Sequence, residues 1–288
     1  MAASTPGPRL RGWAYSPLGF LRRIFVGGYE DNISFLASGL TFDALLWVLP
    51  LLVVALSAFG YLVGSAEAPR ELVRVIVGEF LPEGGADGPF RRVATGLEEL
   101  VEQRGRLTVY GGPFFVWFSW RLFGSVRAAL NDVFDTEETR PWLAGKAVDL
   151  ALGVTAAVLI LANTVITVIV LRGAWAGRFT AGLLAYLAVT LLFYIVYTVA
   201  PSRKMRWDTA LVAALFASLG FEVAKRLYGI YLIRFVTFDR LLSDTNAIAL
   251  LLFVLWMYMT ALVFLAGGEV AETYDLARRQ REQRAILG

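Results

Sequence analysis

Apolar residues in this chain gather in long blocks rather than in the narrow stripes of soluble helices or the alternation of soluble strands. Six blocks qualify as spans, at residues 33–63, 108–130, 147–171, 180–200, 208–231 and 246–271. Crossing roughly 30 Å of hydrocarbon takes about 20 mostly apolar residues, and each block reaches that length. A helix satisfies its own backbone polar groups without outside partners, so blocks of this length predict transmembrane helices. The first is long enough to tilt or project beyond the bilayer, and Pro50 predicts a kink within it. Gly111-Gly112-Pro113 predicts an opening or a kink near the start of the second. In the fifth, Ala214 and Ser218 with Gly220 close by predict a small-residue packing face.

Two amphipathic segments flank the first span. Before it, Pro17 suits a helix's first turn, and Phe20, Leu21, Ile24 and Phe25 share one face with Arg22 and Arg23 beside them. That pattern predicts a short helix lying in the membrane interface. After it, residues 64–107 carry Leu72, Val73, Ile76 and Phe80, then Phe90, Val93, Leu97, Leu100 and Val101, separated by a Gly- and Pro-rich stretch. Helical spacing of both sets predicts a two-helix cap docked on the membrane surface. The predicted fold is therefore all-α, an integral membrane bundle of six transmembrane helices with an N-terminal interfacial helix and an external two-helix cap. Its divisions are a tail and interfacial helix over 1–32, a membrane domain over 33–271 that includes the 64–107 insert, and a basic tail over 272–288. The basic, mixed stretch up to Asp31 is not expected to be a cleaved leader.

Composition agrees: 57% of the 288 residues are hydrophobic and only 18% charged, too few to cover a soluble surface of this size. Lys and Arg set the orientation. Thirteen fall on the side of the termini and nine on the other, so both termini are expected in the cytoplasm and 64–107 outside. Trp13, Tyr15, Trp142, Trp175, Trp207 and Tyr274 fall near the span ends, as an aromatic belt requires. A net charge of +3 gives no reason to expect nucleic acid. With no cysteine and no histidine, disulfides, thiolate metal sites, thiol catalysis and a Ser-His-Asp triad are all excluded. No nucleotide-binding loop or HExxH motif is present, and no cofactor or metal is expected.

Four patterns carry a resemblance. They are Leu40-Thr41-Phe42 through Leu45 to Leu52 with its proline; Asn131 through Glu138 to Arg140-Pro141-Trp142; Pro201, Arg206-Trp207, Glu222, Lys225 and Tyr231; and Leu255-Trp256-Met257-Tyr258 followed by Gly267-Gly268-Glu269. In their order and spacing over about residues 18–275 the chain resembles the YihY/BrkB family of bacterial inner-membrane proteins, which once carried the name ribonuclease BN. The resemblance implies a six-helix membrane protein for which transport, including of lipids, has been suggested. Asp43 stands where the family pattern has a neutral residue, so the resemblance assigns it no role. A zinc nuclease of the old name would need histidine and aspartate ligands, and a chain without histidine cannot supply them.

Ionisable groups in a bilayer cost about 2.5–3.5 kcal/mol each unless they pair or line a polar path, so those inside the spans are the candidate site. At 1.5 Å per residue, Asp43 lies about 15 Å in from one face, and Arg121 sits about 20 Å down from the other. These depths are compatible with an ion pair between the first two spans; otherwise Asp43 is protonated or faces a crevice. Glu222, Lys225 and Arg226 share a helix face near the external interface, with Asn163 at the same level. They either snorkel to the head groups or form a cationic gateway for an anionic amphiphile. Glu269, with Arg127, Asn131 and Arg140 within expected reach, forms a structural cluster or a gate.

Three functions stay open at this point. One is a transporter or flippase-like carrier of an anionic lipid or other amphiphile. Another is a non-transporting scaffold or assembly factor. An intramembrane enzyme is the third and least favoured, because Asp43, Glu222 and Glu269 lie at different depths. The expected partners are membrane lipids, anionic ones included, with homo-oligomerisation left open and the bacterial inner membrane as the location.

Overall fold

The computed structural model describes residues 17–63, 104–137, 140–171, 175–235 and 245–287, and every regular element among them is a helix. In chain order these are α1 (Pro17–Glu30), α2 (Ile33–Val63), α3 (Arg104–Val133), α4 (Trp142–Leu171), α5 (Trp175–Val199), α6 (Trp207–Phe235) and α7 (Thr245–Leu287). The expected cap over 64–107 lies, up to residue 103, outside the described residues.

Each helix from α2 to α6 packs on the next in sequence, α6 packs on α7, and α7 closes the ring by packing on α2. A weaker contact joins α3 and α7 across the middle, and α1 lies against α7. Among the described residues, four helices are long and apolar enough to cross a membrane, over Ile33–Ala55, Trp142–Asn163, Gly182–Val199 and Leu250–Gln280. Large apolar side chains stand on the outside, among them Phe35, Leu49, Phe114, Trp117, Leu227 and Leu251. A soluble monomer rarely exposes so much apolar surface. The chain is a helical protein with several membrane-crossing helices. Six spans were expected, and the two that do not meet the same measure are α3 and α6. They are 30 and 29 residues long but carry Arg121 and Arg127, and Glu222, Lys225, Arg226 and Arg234 respectively.

Local chemistry sets the breaks. Between α1 and α2, Asn32 takes a left-handed backbone (φ 50°), which asparagine tolerates better than most residues. After α3, the Asp135 amide donates to the Asp132 carbonyl and the Thr136 amide to the Asn131 carbonyl, a Schellman end with Asp135 (φ 46°) in the position glycine usually takes. The final helix runs unbroken for 43 residues, about 65 Å, so the segment expected as a basic tail continues the helix through Leu287.

Small residues bring α5, α6 and α7 close. Ala210, Ala213, Ala214, Ala217 and Ser218 on α6 are all buried. Tyr197 of α5 stacks on Phe264 of α7 with ring centroids 4.9 Å apart, and its buried hydroxyl donates to the Phe264 carbonyl oxygen. At Gly267 a β-carbon would lie 2.9 Å from the Ala217 methyl and 3.2 Å from the Ala213 carbonyl oxygen, and against the Tyr197 hydroxyl. Gly267→Ala is therefore expected to destabilise by about 1–3 kcal/mol, the usual cost of overpacking. At Gly39 of α2 no atom stands within 4 Å of the added carbon, and alanine there should be neutral or slightly stabilising. Thermal unfolding of the two variants in detergent checks the contrast; equal midpoints would contradict the packing described.

Candidate functional site

Asp43 and Arg121 meet where α2 crosses α3. Trp47 fixes the register of the two helices. Its ring packs on Phe115 and Phe123, and its indole N–H donates to the Ser119 hydroxyl at 2.9 Å. One turn earlier on α2, Asp43 accepts from Arg121 Nε at 2.5 Å through one oxygen and from the Ser125 hydroxyl at 2.5 Å through the other. The pairing expected from depth is present. The two partners differ in environment, however: the Asp43 side chain is 8% exposed and that of Arg121 50%. The guanidinium stands over the exposed Phe42 ring, 5.5 Å from its centroid. Arg121 thus offers a positive charge, held from within by a buried carboxylate, on the outer surface of the bundle.

Two turns further along α3, Arg127 donates to the buried Asp149 of α4 at 2.8 Å. Asn131 then ties α3 to the loop after α5: its amide donates to the Ser202 hydroxyl (3.0 Å) and its carbonyl accepts the Ser202 backbone N–H (2.9 Å). Arg140 caps the C-terminus of α5 by donating to the Val199 and Pro201 carbonyl oxygens at 2.8 and 2.6 Å. Burial first, and then the neighbouring Arg127 charge, pull the Arg140 pKa down. These three residues brace one end of the bundle.

Glu269 does not join them. Its neighbour Gly268 faces Leu130 and Val133 of α3, and a helix turns about 100° per residue, which carries the Glu269 carboxylate round to α1. There it lies so close to Gly27 that a β-carbon would overlap it. Its companions are Asp31 and Glu272, with one carboxylate oxygen from each of the three within 4.8 Å of the others. Two ionised carboxylates have no proton donor between them, so Asp31 and Glu269 form a hydrogen bond only when one of them carries the proton. Burial, the largest influence, raises the Asp31 pKa and favours that state. Such a group can share a proton or hold an oxygen-preferring cation. Asp31 and Glu272 were not foreseen from the sequence, although Glu269, Glu272 and Asp275 recur every three residues along α7.

At the other end, Lys225 donates to Glu222 at 2.8 Å, as their spacing on α6 suggests. Arg226 is exposed and has no ion-pair partner among the described residues. Asn163 has a buried side-chain oxygen without a hydrogen-bond partner among the described residues, and no hydrogen bond among them joins it to the Glu222–Lys225 pair.

The family described as Virulence factor BrkB matches this chain over residues 25–286, which covers the helices after α1 up to the last residue but one of α7. This chain belongs to the BrkB family. It is similar to UPF0761 membrane proteins of Rhodospirillum centenum (28% identity, 92% of this chain and 59% of the relative), Nitrosospira multiformis (24%, 88% and 60%) and Ralstonia nicotianae (28%, 96% and 63%). The chain therefore spans about 60% of the length of these relatives. No solved structure matches it. The names of these BrkB-family relatives describe membrane proteins and no enzymatic activity.

Proposed function

We propose that this chain is a carrier of an anionic lipid or other anionic amphiphile in the bacterial inner membrane, with both termini in the cytoplasm. The observation that carries the reading is Arg121. A guanidinium in hydrocarbon is expensive and cannot be neutralised by losing its proton; Asp43 answers its Nε edge, and the half-exposed remainder offers a place for an anionic group from outside. Asp43, itself held by the Ser125 hydroxyl, orients Arg121 Nε, and the terminal nitrogens, which have no hydrogen-bond partner among the described residues, can take a phosphate or carboxylate head group. The exposed Phe42 and Trp117 on either side suit the acyl region of such a molecule.

Native mass spectrometry after gentle purification tests this reading. Wild-type chain is expected to retain anionic lipid in defined stoichiometry, and Arg121→Gln to lose it; equal retention by both would refute the assignment. The orientation has its own check, because the chain has no native cysteine. Gly85→Cys in otherwise unchanged cells should react with an impermeant thiol reagent added outside, and reaction only after lysis would reverse the topology.

A non-transporting scaffold is the second reading. Asp43, Asp149 and Glu222 each have a cation within the chain, and a bundle with its charges satisfied internally needs no cargo. Defined complexes with another membrane protein, and no retained lipid, would favour it.

A further inference from the structure

A cavity of about 230 Å³ opens where the loop after α5 meets the far part of α7. Arg203, Lys204, Met205, Arg206 and Thr209 line it from the loop and the first turn of α6, and Asp275, Arg278, Arg279 and Glu282 from α7. Five cations face two carboxylates. The carboxylates match them only in part, five cations sharing three with Asp208 included: Asp275 sits 2.9 Å from Arg279 and 3.7 Å from Arg203, and Glu282 accepts from Arg278 at 2.9 Å. Asp208 behind the cavity holds Arg278 and Arg206. Lys204 is exposed and has no ion-pair partner among the described residues.

Two lining residues are also incompletely satisfied. Arg203 lies over the Phe134 ring, 4.7 Å from its centroid, which holds the guanidinium plane, yet among the described residues Nε has no hydrogen-bond partner and Nη2 has only the 3.7 Å ion pair with Asp275. The buried Thr209 hydroxyl has no hydrogen-bond partner among them either. Buried polar groups left without partners are uncommon in folded proteins, and Arg203 and Thr209 both line this cavity.

We infer that this cavity is a binding site for a phosphate group, separate from Arg121. A phosphate brings up to two negative charges and several acceptor oxygens, which suits converging guanidinium forks better than a single carboxylate does. The volume is below the roughly 300–1,000 Å³ of sites for drug-sized molecules, so it admits a head group rather than a whole amphiphile. Its level in the fold fits a head group too. Trp142 and Trp207, which begin α4 and α6, are exposed at this end of the bundle, where interfacial tryptophans mark the membrane surface. The phosphate belongs either to a lipid or to a soluble phosphate ester.

The test uses the whole chain in neutral detergent. Inorganic phosphate is titrated by calorimetry, and phosphatidic acid is compared with phosphatidylcholine by native mass spectrometry. Lys204→Gln with Arg279→Gln removes two exposed cations, and an unchanged thermal midpoint without ligand confirms that the fold is kept. Saturable binding of phosphate, phosphatidic acid or both, weakened about tenfold in the double variant, supports the site. Phosphatidic acid alone marks a lipid head group as the ligand, whereas inorganic phosphate binding marks a site open to soluble esters. Failure of both probes to bind saturably, or binding undiminished in the double variant, overturns the assignment. Arg121→Gln should leave phosphate binding unchanged, so this site and the carrier reading can fail independently.

Discussion

Replacing Arg127 with alanine is expected to cost about 3–5 kcal/mol, the largest loss for any single charge in the chain. The reason is Asp149. Its side chain is 1% exposed, and among the described residues its one hydrogen-bond donor is Arg127 Nη1, while its second oxygen has no partner. Without the guanidinium a buried carboxylate is stranded at the α3–α4 contact. Asp149→Asn should cost less, because it removes the buried charge and leaves Arg127 able to reach the bundle end. Combining Arg127→Met with Asp149→Leu should recover much of the loss, since an apolar pair carries no desolvation penalty. Thermal unfolding in detergent measures all three. A neutral Arg127→Ala would mean that Asp149 is already protonated or hydrated.

The second large effect is the coupling of Asp43 and Arg121. Arg121→Ala strands the buried Asp43 with only the Ser125 hydroxyl, at a cost of about 3 kcal/mol. Asp43→Ala leaves an unpaired guanidinium facing hydrocarbon, about 3 kcal/mol on insertion scales. Removing both strands neither, so the double variant should fall short of the sum by about 1 kcal/mol or more. If the two losses add in a stability cycle, the pair contributes nothing and Arg121 is held by other groups.

Depth arithmetic was informative wherever both partners lay inside spans. It brought Asp43 to Arg121, and the i, i+3 rule brought Lys225 to Glu222. The same arithmetic applied at the loop after α3 would have found Asp149. Arg127 lies six residues before the end of α3 and Asp149 seven after the start of α4, so both are about 10 Å from that end. Rotation about the helix axis was the missing quantity for Glu269. Sequence gives its height near Arg127 and Arg140, but only the packing of Gly268 against α3 shows that its side chain points to α1. The cavity at Arg203 was illegible for a different reason. Its lining comes from a loop and from the continuation of α7 beyond the membrane block, which composition alone marks as a basic tail.

Lipid movement itself is the most direct measurement of the carrier reading. The chain is reconstituted into phosphatidylcholine vesicles that contain head-group-labelled phosphatidylglycerol, and an impermeant quencher reports how fast the label crosses. The expected result is faster crossing than in protein-free vesicles, lost in Arg121→Gln and unaffected by a neutral substitution at Arg226. Crossing at the protein-free rate, with the protein shown to be folded and inserted, would contradict it.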